Sequence, residues 1–212
     1  MTMNTPFALA AVVAALLALP ALAEEAKPVD TTPKLANGLL MKQGGKLVFA
    51  PCRDRSYAIV DDASPGGAVT QALNSVGLEA GKKIYVELMG VVEGINLRAH
   101  SLNFARAEGR CQAPGGSEES WRAAGGEPAW SLVAGGDKVI LQRKGKADVT
   151  VPYAPFKSEG NVATYEAGQG AHRLALRFER GVCRDKAGDV LLGWTASVTA
   201  NGETLKGCAW QR

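Results

Sequence analysis

Several things are scarce in this chain of 212 residues, and each scarcity removes a class of protein. Histidine occurs only as His100 and His172, too few to build a multi-histidine metal centre. No G-x-S-x-G elbow, H-E-x-x-H pair, Walker loop or dinucleotide fingerprint is present. Gly168-Gln169-Gly170 lacks the third glycine and reads as a hairpin turn. No run reaches 18 apolar residues, so no membrane-spanning helix is expected. Net charge is only +3, too small for a dedicated nucleic-acid binder. Aromatics are 6%, so the cores are expected to consist of Ala, Val and Leu. None of the cysteines forms a C-x-x-C, which removes zinc-ribbon and thioredoxin-like motifs.

What is present speaks first to compartment. Phe7 to Leu19 is a 13-residue uncharged run, too short to span a bilayer. Pro20 and the small residues Ala21 and Ala23 complete a signal-peptide pattern over residues 1–23, with cleavage before Glu24. Met1 to Thr5 carry no Lys or Arg, a departure from that pattern. No cysteine adjoins the cleavage site, so the mature chain is expected to be periplasmic, soluble and without a membrane anchor. Residues 24–33 are polar and contain proline, which predicts a disordered leader.

Four cysteines, Cys52, Cys111, Cys183 and Cys208, allow three pairings. An exported chain meets an oxidising compartment, so disulfides are expected. Gln112 to Ser120 is rich in Pro, Gly, Ser and Glu and has no apolar periodicity. It reads as a linker (113–120) between domains at 34–112 and 121–212. Each domain then owns two cysteines, and local pairing gives Cys52–Cys111 and Cys183–Cys208. Charge is similar in the two halves: ten basic and seven acidic residues from 34 to 112, thirteen and eleven from 113 to 212.

The first half predicts short strands at Lys46–Ala50, Ser56–Val60, Lys83–Val92 and Leu97–Arg106. In Lys83–Val92, Ile84, Val86 and Leu88 share one face and Tyr85, Glu87 and Met89 the other. Leu102 and Phe104 fall on the face of Arg98 and His100. One helix is predicted over Pro65–Val76, capped by Ser64 and ended at Gly77, with Val69, Ala72, Leu73 and Val76 as its apolar stripe. This pattern suggests an OB-like barrel. Lys42, Lys46, Arg53, Arg55, Lys82, Lys83, Arg98 and Arg106 could form a basic face, with a solvated charged surface the plainer reading.

The second half reads as strands throughout: Ala129–Val133, Lys138–Arg143, Asp148–Tyr153, Asn161–Glu166, His172–Arg180, Trp194–Ala200 and Glu203–Ala209. Asn201-Gly202 predicts a two-residue type I′ hairpin that pairs Val198 with Leu205 and Trp194 with Ala209, leaving Cys208 on the opposite face. The fold class is therefore mainly β, with two small antiparallel barrels, the second a barrel or half-barrel.

Gly126-Glu127-Pro128-Ala129-Trp130 resembles the Gly-Asn-Glu-Pro-Phe-Trp signature of an uncharacterised bacterial envelope family. Cys183-Arg184-Asp185, Trp194-Thr195-Ala196, Asn201-Gly202 and Leu205-Lys206-Gly207-Cys208-Ala209 resemble that family's closing segment. The family is similar to the small β-domains of NlpE-type and META/HslJ-type envelope proteins. The resemblance covers roughly residues 120–212 and implies an envelope location and lipocalin-like or META-like architecture, with no established activity. Gly126 and Ala129 depart from the signature, and the lipid-anchor cysteine and C-x-x-C of NlpE-type proteins are absent.

No catalytic constellation is expected. His100 and His172 read as structural residues, and the carboxylates Asp61-Asp62, Glu118-Glu119 and Asp185/Asp189 as loop chemistry. No cofactor or metal is expected. Glu127 with Trp130 is the one cluster to inspect as a ligand contact, although a Trp at a barrel closure is more often core. These readings favour a non-enzymatic envelope protein that binds an unidentified ligand or protein. The rivals are a hydrolase or transferase with an unrecognised site, and an inhibitor or sensor docking through the loop Asp61 to Gly67. N-terminal sequencing of exported protein is expected to begin at Glu24; membrane-retained protein starting at Met1 contradicts the cleavage reading.

Overall fold

The structure, a computed structural model, describes Met1 and residues 31–107, 109–111, 118–170, 173–185 and 189–212. Nearly all of the expected signal segment, residues 24–30 of the leader, and His172 lie outside the described residues.

The first half builds strands β1 (Lys34–Gln43), β2 (Lys46–Pro51), β3 (Ala58–Asp62), β4 (Ile84–Glu93) and β5 (Asn96–Ala107), with helix α1 (Ala68–Asn74) between β3 and β4. They run in the order β3-β2-β1-β4-β5, and a parallel pairing of β3 with β5 closes the row into a five-strand barrel. Ile84, Val86 and Leu88 point into this barrel, as their alternation predicts. β1 is not among the strands expected from the sequence, and Gly38 lies in its middle. Gly38 pairs with Pro51, and the Phe49 ring lies where a side chain at 38 would stand.

β5 also departs from expectation. Its pairing with β4 shifts register at Glu87/Leu88 and again at Met89/Gly90. Each shift changes which face the following residues take. Leu102 therefore enters the barrel core, while Phe104 packs outside it against Tyr85, Leu192 and Cys208. Arg98 and His100 remain exposed.

The helix begins three residues later than predicted. Gly66 and Gly67 hold φ of 64° and 69°, so Pro65–Gly67 forms a 3₁₀ turn and the α-helix starts at Ala68. Capping is shared: Ser64 Oγ accepts from Val69 N (3.0 Å) and Asp62 Oδ2 accepts from Thr70 N (2.7 Å). A seven-residue helix is marginal alone, so burial of Val69 and Leu73 in the barrel core holds it. It covers the barrel end where β3 leaves and β4 begins.

The second half contains β6 (Glu119–Gly126), β7 (Ala129–Gly135), β8 (Lys138–Arg143), β9 (Val149–Pro152), β10 (Lys157–Glu159), β11 (Val162–Ala167), β12 (Leu174–Arg184), β13 (Val190–Ala200) and β14 (Glu203–Gln211). Glu119 and Ser120, expected in a linker, instead open β6, where Glu119 pairs with Gly135 and binds Arg122. Residues 113–117 lie outside the described residues. The pairings run β9-β8-β7-β6-β14-β13-β12-β11-β10. Among the described residues no ladder joins β9 to β10; the Tyr165 hydroxyl on β11 donates to the Pro152 carbonyl on β9. Asn201 (φ 54°) and Gly202 (φ 81°) form the predicted turn, with Val198 opposite Leu205 and Trp194 opposite Ala209.

The expectation of aromatic-poor cores fails here. Trp121, Phe156, Tyr165, Phe178 and Trp194 meet in one cluster, with neighbouring centroids 5.0–5.5 Å apart. A low total still fills a core when the rings are concentrated.

β13 joins the halves. Val190, Leu191 and Leu192 pair with Arg106, Ala105 and Phe104 of β5, so one sheet runs through both. Leu191 enters the core of the first barrel. At Gly193 a side chain would collide with the Leu102 carbonyl, so close approach requires glycine there.

The cysteines pair as Cys52–Cys111 and Cys183–Cys208, with Cα atoms 5.4 and 5.5 Å apart. The second bond links β12 to β14, the two neighbours of β13, just beyond a register shift between Arg180 and Cys183. Cys183→Ser and Cys208→Ser should each destabilise by about 2–5 kcal/mol. The double variant should cost little more than either single change, since one bond is lost in each case. Thermal unfolding of the three variants checks this, and additive losses contradict it.

Candidate functional site

The end of the first barrel opposite α1 is open. Here the β2–β3 loop, the β4–β5 turn and the start of β1 surround a groove of about 680 Å³. Phe49, Ala58 and Leu97 contribute to its walls. Around it stand Leu35, Tyr57, Val92 and Ile95, which are 45%, 67%, 65% and 72% exposed. The other large apolar side chains exposed among the described residues are Met1 and Val182. Four of these six therefore gather at one groove. Scattered exposed apolar residues need no explanation, but a contiguous group marks a contact surface.

Polar groups at this groove come from Asn37 of β1 and from the β2–β3 loop. Asp54 accepts from the backbone N–H (2.8 Å) and hydroxyl of Ser56. These bonds hold the Asp54 carboxyl below the usual carboxylate range. They fix the loop that carries Tyr57. Arg53 also lines the groove, and an exposed Arg98–Glu93 pair (3.4 Å) lies beside the β4–β5 turn.

A second polar cluster lies outside the barrel, between the halves. Tyr85, Glu87 and Asn103 are buried. The Tyr85 hydroxyl donates to Glu87 Oε1 (3.0 Å), and Asn103 Nδ2 donates to Glu87 Oε2 (2.7 Å). Asn103 also donates to the Gln211 carbonyl (2.6 Å) and accepts from the Gln211 N–H (3.1 Å), tying the end of β14 to β5. Burial pushes the Glu87 carboxyl up, against hydrogen bonds from Tyr85 and Asn103 and the charge of Arg212. Burial and the neighbouring Glu87 charge likewise push Tyr85 up. Glu87 is not among the residues lining the groove. Sequence alternation gave its strand face but not its partners, because Asn103 reaches it through a bulge and Gln211 is 108 residues from Asn103.

The residues singled out from sequence are dispersed. Glu127 is exposed in the β6–β7 turn, next to a cis Glu127–Pro128 bond. Trp130 is 5% exposed in the second core, its indole N–H donating to the Lys206 carbonyl (3.2 Å). The structure thus puts Glu127 outside and Trp130 inside. The expected basic face divides: Lys42, Lys46, Lys82, Lys83 and Arg106 lie toward the helix end of the barrel, while Arg53, Arg55 and Arg98 lie at the groove end. In the loop Asp61 to Gly67, burial raises the Asp62 carboxyl, but hydrogen bonds from Ser64 and Thr70 outweigh it and hold Asp62 low. His100 is exposed on β5. Among the described residues no group of three or more His, Cys, Asp or Glu is placed to hold a metal ion. No helix among them is long and apolar enough to cross a membrane.

No protein-family model matches the chain, and no curated protein or solved structure matches it.

The Glu87 cluster gives a pH prediction. A carboxyl whose folded pKa is raised contributes stability that is fully present below its unfolded pKa, about 4.3. That contribution is lost as pH rises through the folded value. Glu87→Gln removes the charge; its carbonyl can still accept from Asn103, while its amide N–H donates to the Tyr85 hydroxyl, reversing that bond. It should flatten the fall in stability between pH 4 and pH 7. Glu87→Ala leaves buried donors unpaired and should cost about 1–3 kcal/mol more than the Gln variant. Denaturant unfolding at both pH values checks this; an unchanged pH dependence in Glu87→Gln contradicts it.

Proposed function

We propose that this chain is an exported, non-enzymatic binding protein of the cell envelope that takes an apolar ligand, or an apolar segment of a partner, at the open end of its first barrel. One observation carries this reading: Leu35, Tyr57, Val92 and Ile95, four of the six exposed large apolar residues, border a single groove. An exposed apolar cluster costs free energy in water, which a bound apolar surface recovers at about 25 cal/mol per Å².

The first barrel is read as OB-like. Its strand order, the parallel β3–β5 closure and the helix between β3 and β4 support this. OB-like barrels host many functions, so the ligand class is argued from the groove and not from the fold. The second half is read as a META-like or lipocalin-like half-barrel, in line with the resemblance of residues 120–212. Export fits two disulfides, which persist in oxidising compartments. The non-enzymatic reading is supported by the engagement of Glu87, whose carboxyl oxygens are both hydrogen-bonded inside the fold.

The test uses an environment-sensitive apolar dye as probe. The native protein should bind it saturably and raise its emission. Val92→Asp combined with Ile95→Asp should abolish that emission without moving the melting temperature, since both side chains are exposed. Equal dye binding by the double variant sinks the reading.

A further inference from the structure

Away from the groove, a second cleft lies where the two halves meet. It has a volume of about 240 Å³. Ser64 and Pro65 contribute from the loop before α1, His100 and Ser101 from β5, Asn161 from the β10–β11 turn, and Arg180 from β12. Its distinguishing group is Arg180. The guanidinium lies over the Trp194 ring, 4.2 Å from the centroid, and Nη1 donates to Ser101 Oγ at 2.9 Å.

Five other arginines, Arg98, Arg122, Arg143, Arg173 and Arg177, each pair with a carboxylate, whereas the exposed Arg184 binds only Ser75. Arg180 has no carboxylate partner among the described residues. Yet it is partly buried, and that burial pulls its guanidinium down from the usual arginine range. A guanidinium carries five N–H donors in a planar fork, of which Ser101 uses one. Contact with the Trp194 ring and the bond to Ser101 hold the guanidinium in place, so less freedom is left to lose when an acceptor arrives. A positive charge held in a partly desolvated cleft without a counter-charge is costly unless an anion completes it.

We propose that this cleft is an oxyanion-binding site, in which Arg180 holds a carboxylate or phosphate group while Ser101 and the Trp194 ring set the orientation of its fork. The volume suits one such group, for it falls below the roughly 300–1,000 Å³ of clefts that enclose whole drug-sized ligands. The bound group is thus a terminal or projecting anion of a larger molecule, or a free ion. The site is separate from the apolar groove and does not depend on that reading.

The experiment titrates the full chain with inorganic phosphate and, separately, acetate at constant ionic strength, reading the NMR resonances of the Ser101 amide and the Trp194 indole. One of the two anions should shift both resonances saturably, and which one does so assigns the ligand as phosphate or carboxylate. Arg180→Lys keeps the charge but loses the fork and should weaken that binding by about tenfold. Ser101→Ala should weaken it less, because the fork remains. Arg180→Met should abolish it; where Arg180→Met fails to fold, the Lys variant decides. Three results overturn the proposal: neither anion giving a saturable shift, chloride at equal ionic strength reproducing the shift, or Arg180→Lys binding as tightly as the native protein.

Discussion

The short ladder between β5 and β13 is the contact on which the rest of the molecule depends. Three residue pairs make it, yet it does two jobs. It supplies Leu191 to the core of the first barrel, and it sets β13 where β12 and β14 can flank it. The second sheet therefore grows from a strand whose beginning belongs to the first barrel. Gly193 marks the crossing, at a point where any side chain would meet the backbone of β5.

The surface between the halves is sealed by two unlike means. On one side Tyr85, Phe104, Leu192 and Cys208 pack as an apolar cluster, with Phe104 and Trp210 5.7 Å apart between centroids. Beside it, Asn103 gives both faces of its amide to the backbone of Gln211 and so substitutes for a missing ladder partner at the end of β14. Buried polar groups of this kind stabilise only when fully paired. That condition explains why a carboxylate can lie here without opening onto a cleft.

Much of this was legible in the sequence. The alternation of Ile84, Val86 and Leu88, the Asn201-Gly202 turn with its register, and both cysteine pairings follow from local pattern and chain order. The failures share a cause: each depends on a neighbour remote in sequence. β1 was missed because its pairing with β2 and β4, and the Phe49 ring that fills the space at Gly38, come from other parts of the chain. The phase of β5 was misread because two bulges, invisible in composition, reset it. The apolar groove could not be read at all. Leu35, Tyr57, Val92 and Ile95 look like scattered apolar residues until barrel closure brings three separated segments to one end. Arg180 likewise resembles any surface arginine until β5 places Ser101 beside it.

The Cys52–Cys111 bond has a mechanical consequence. It spans 59 residues, a segment that contains β3, α1, β4 and β5. A force applied to the two chain ends passes through the bond and bypasses that segment. Stretching the oxidised chain would leave on the order of 200 Å of contour length unextended within this covalent ring. Under tension the barrel could lose β1 and β2 while β3, β4 and β5 remained threaded together. Reduction of one bond would release the whole length at once.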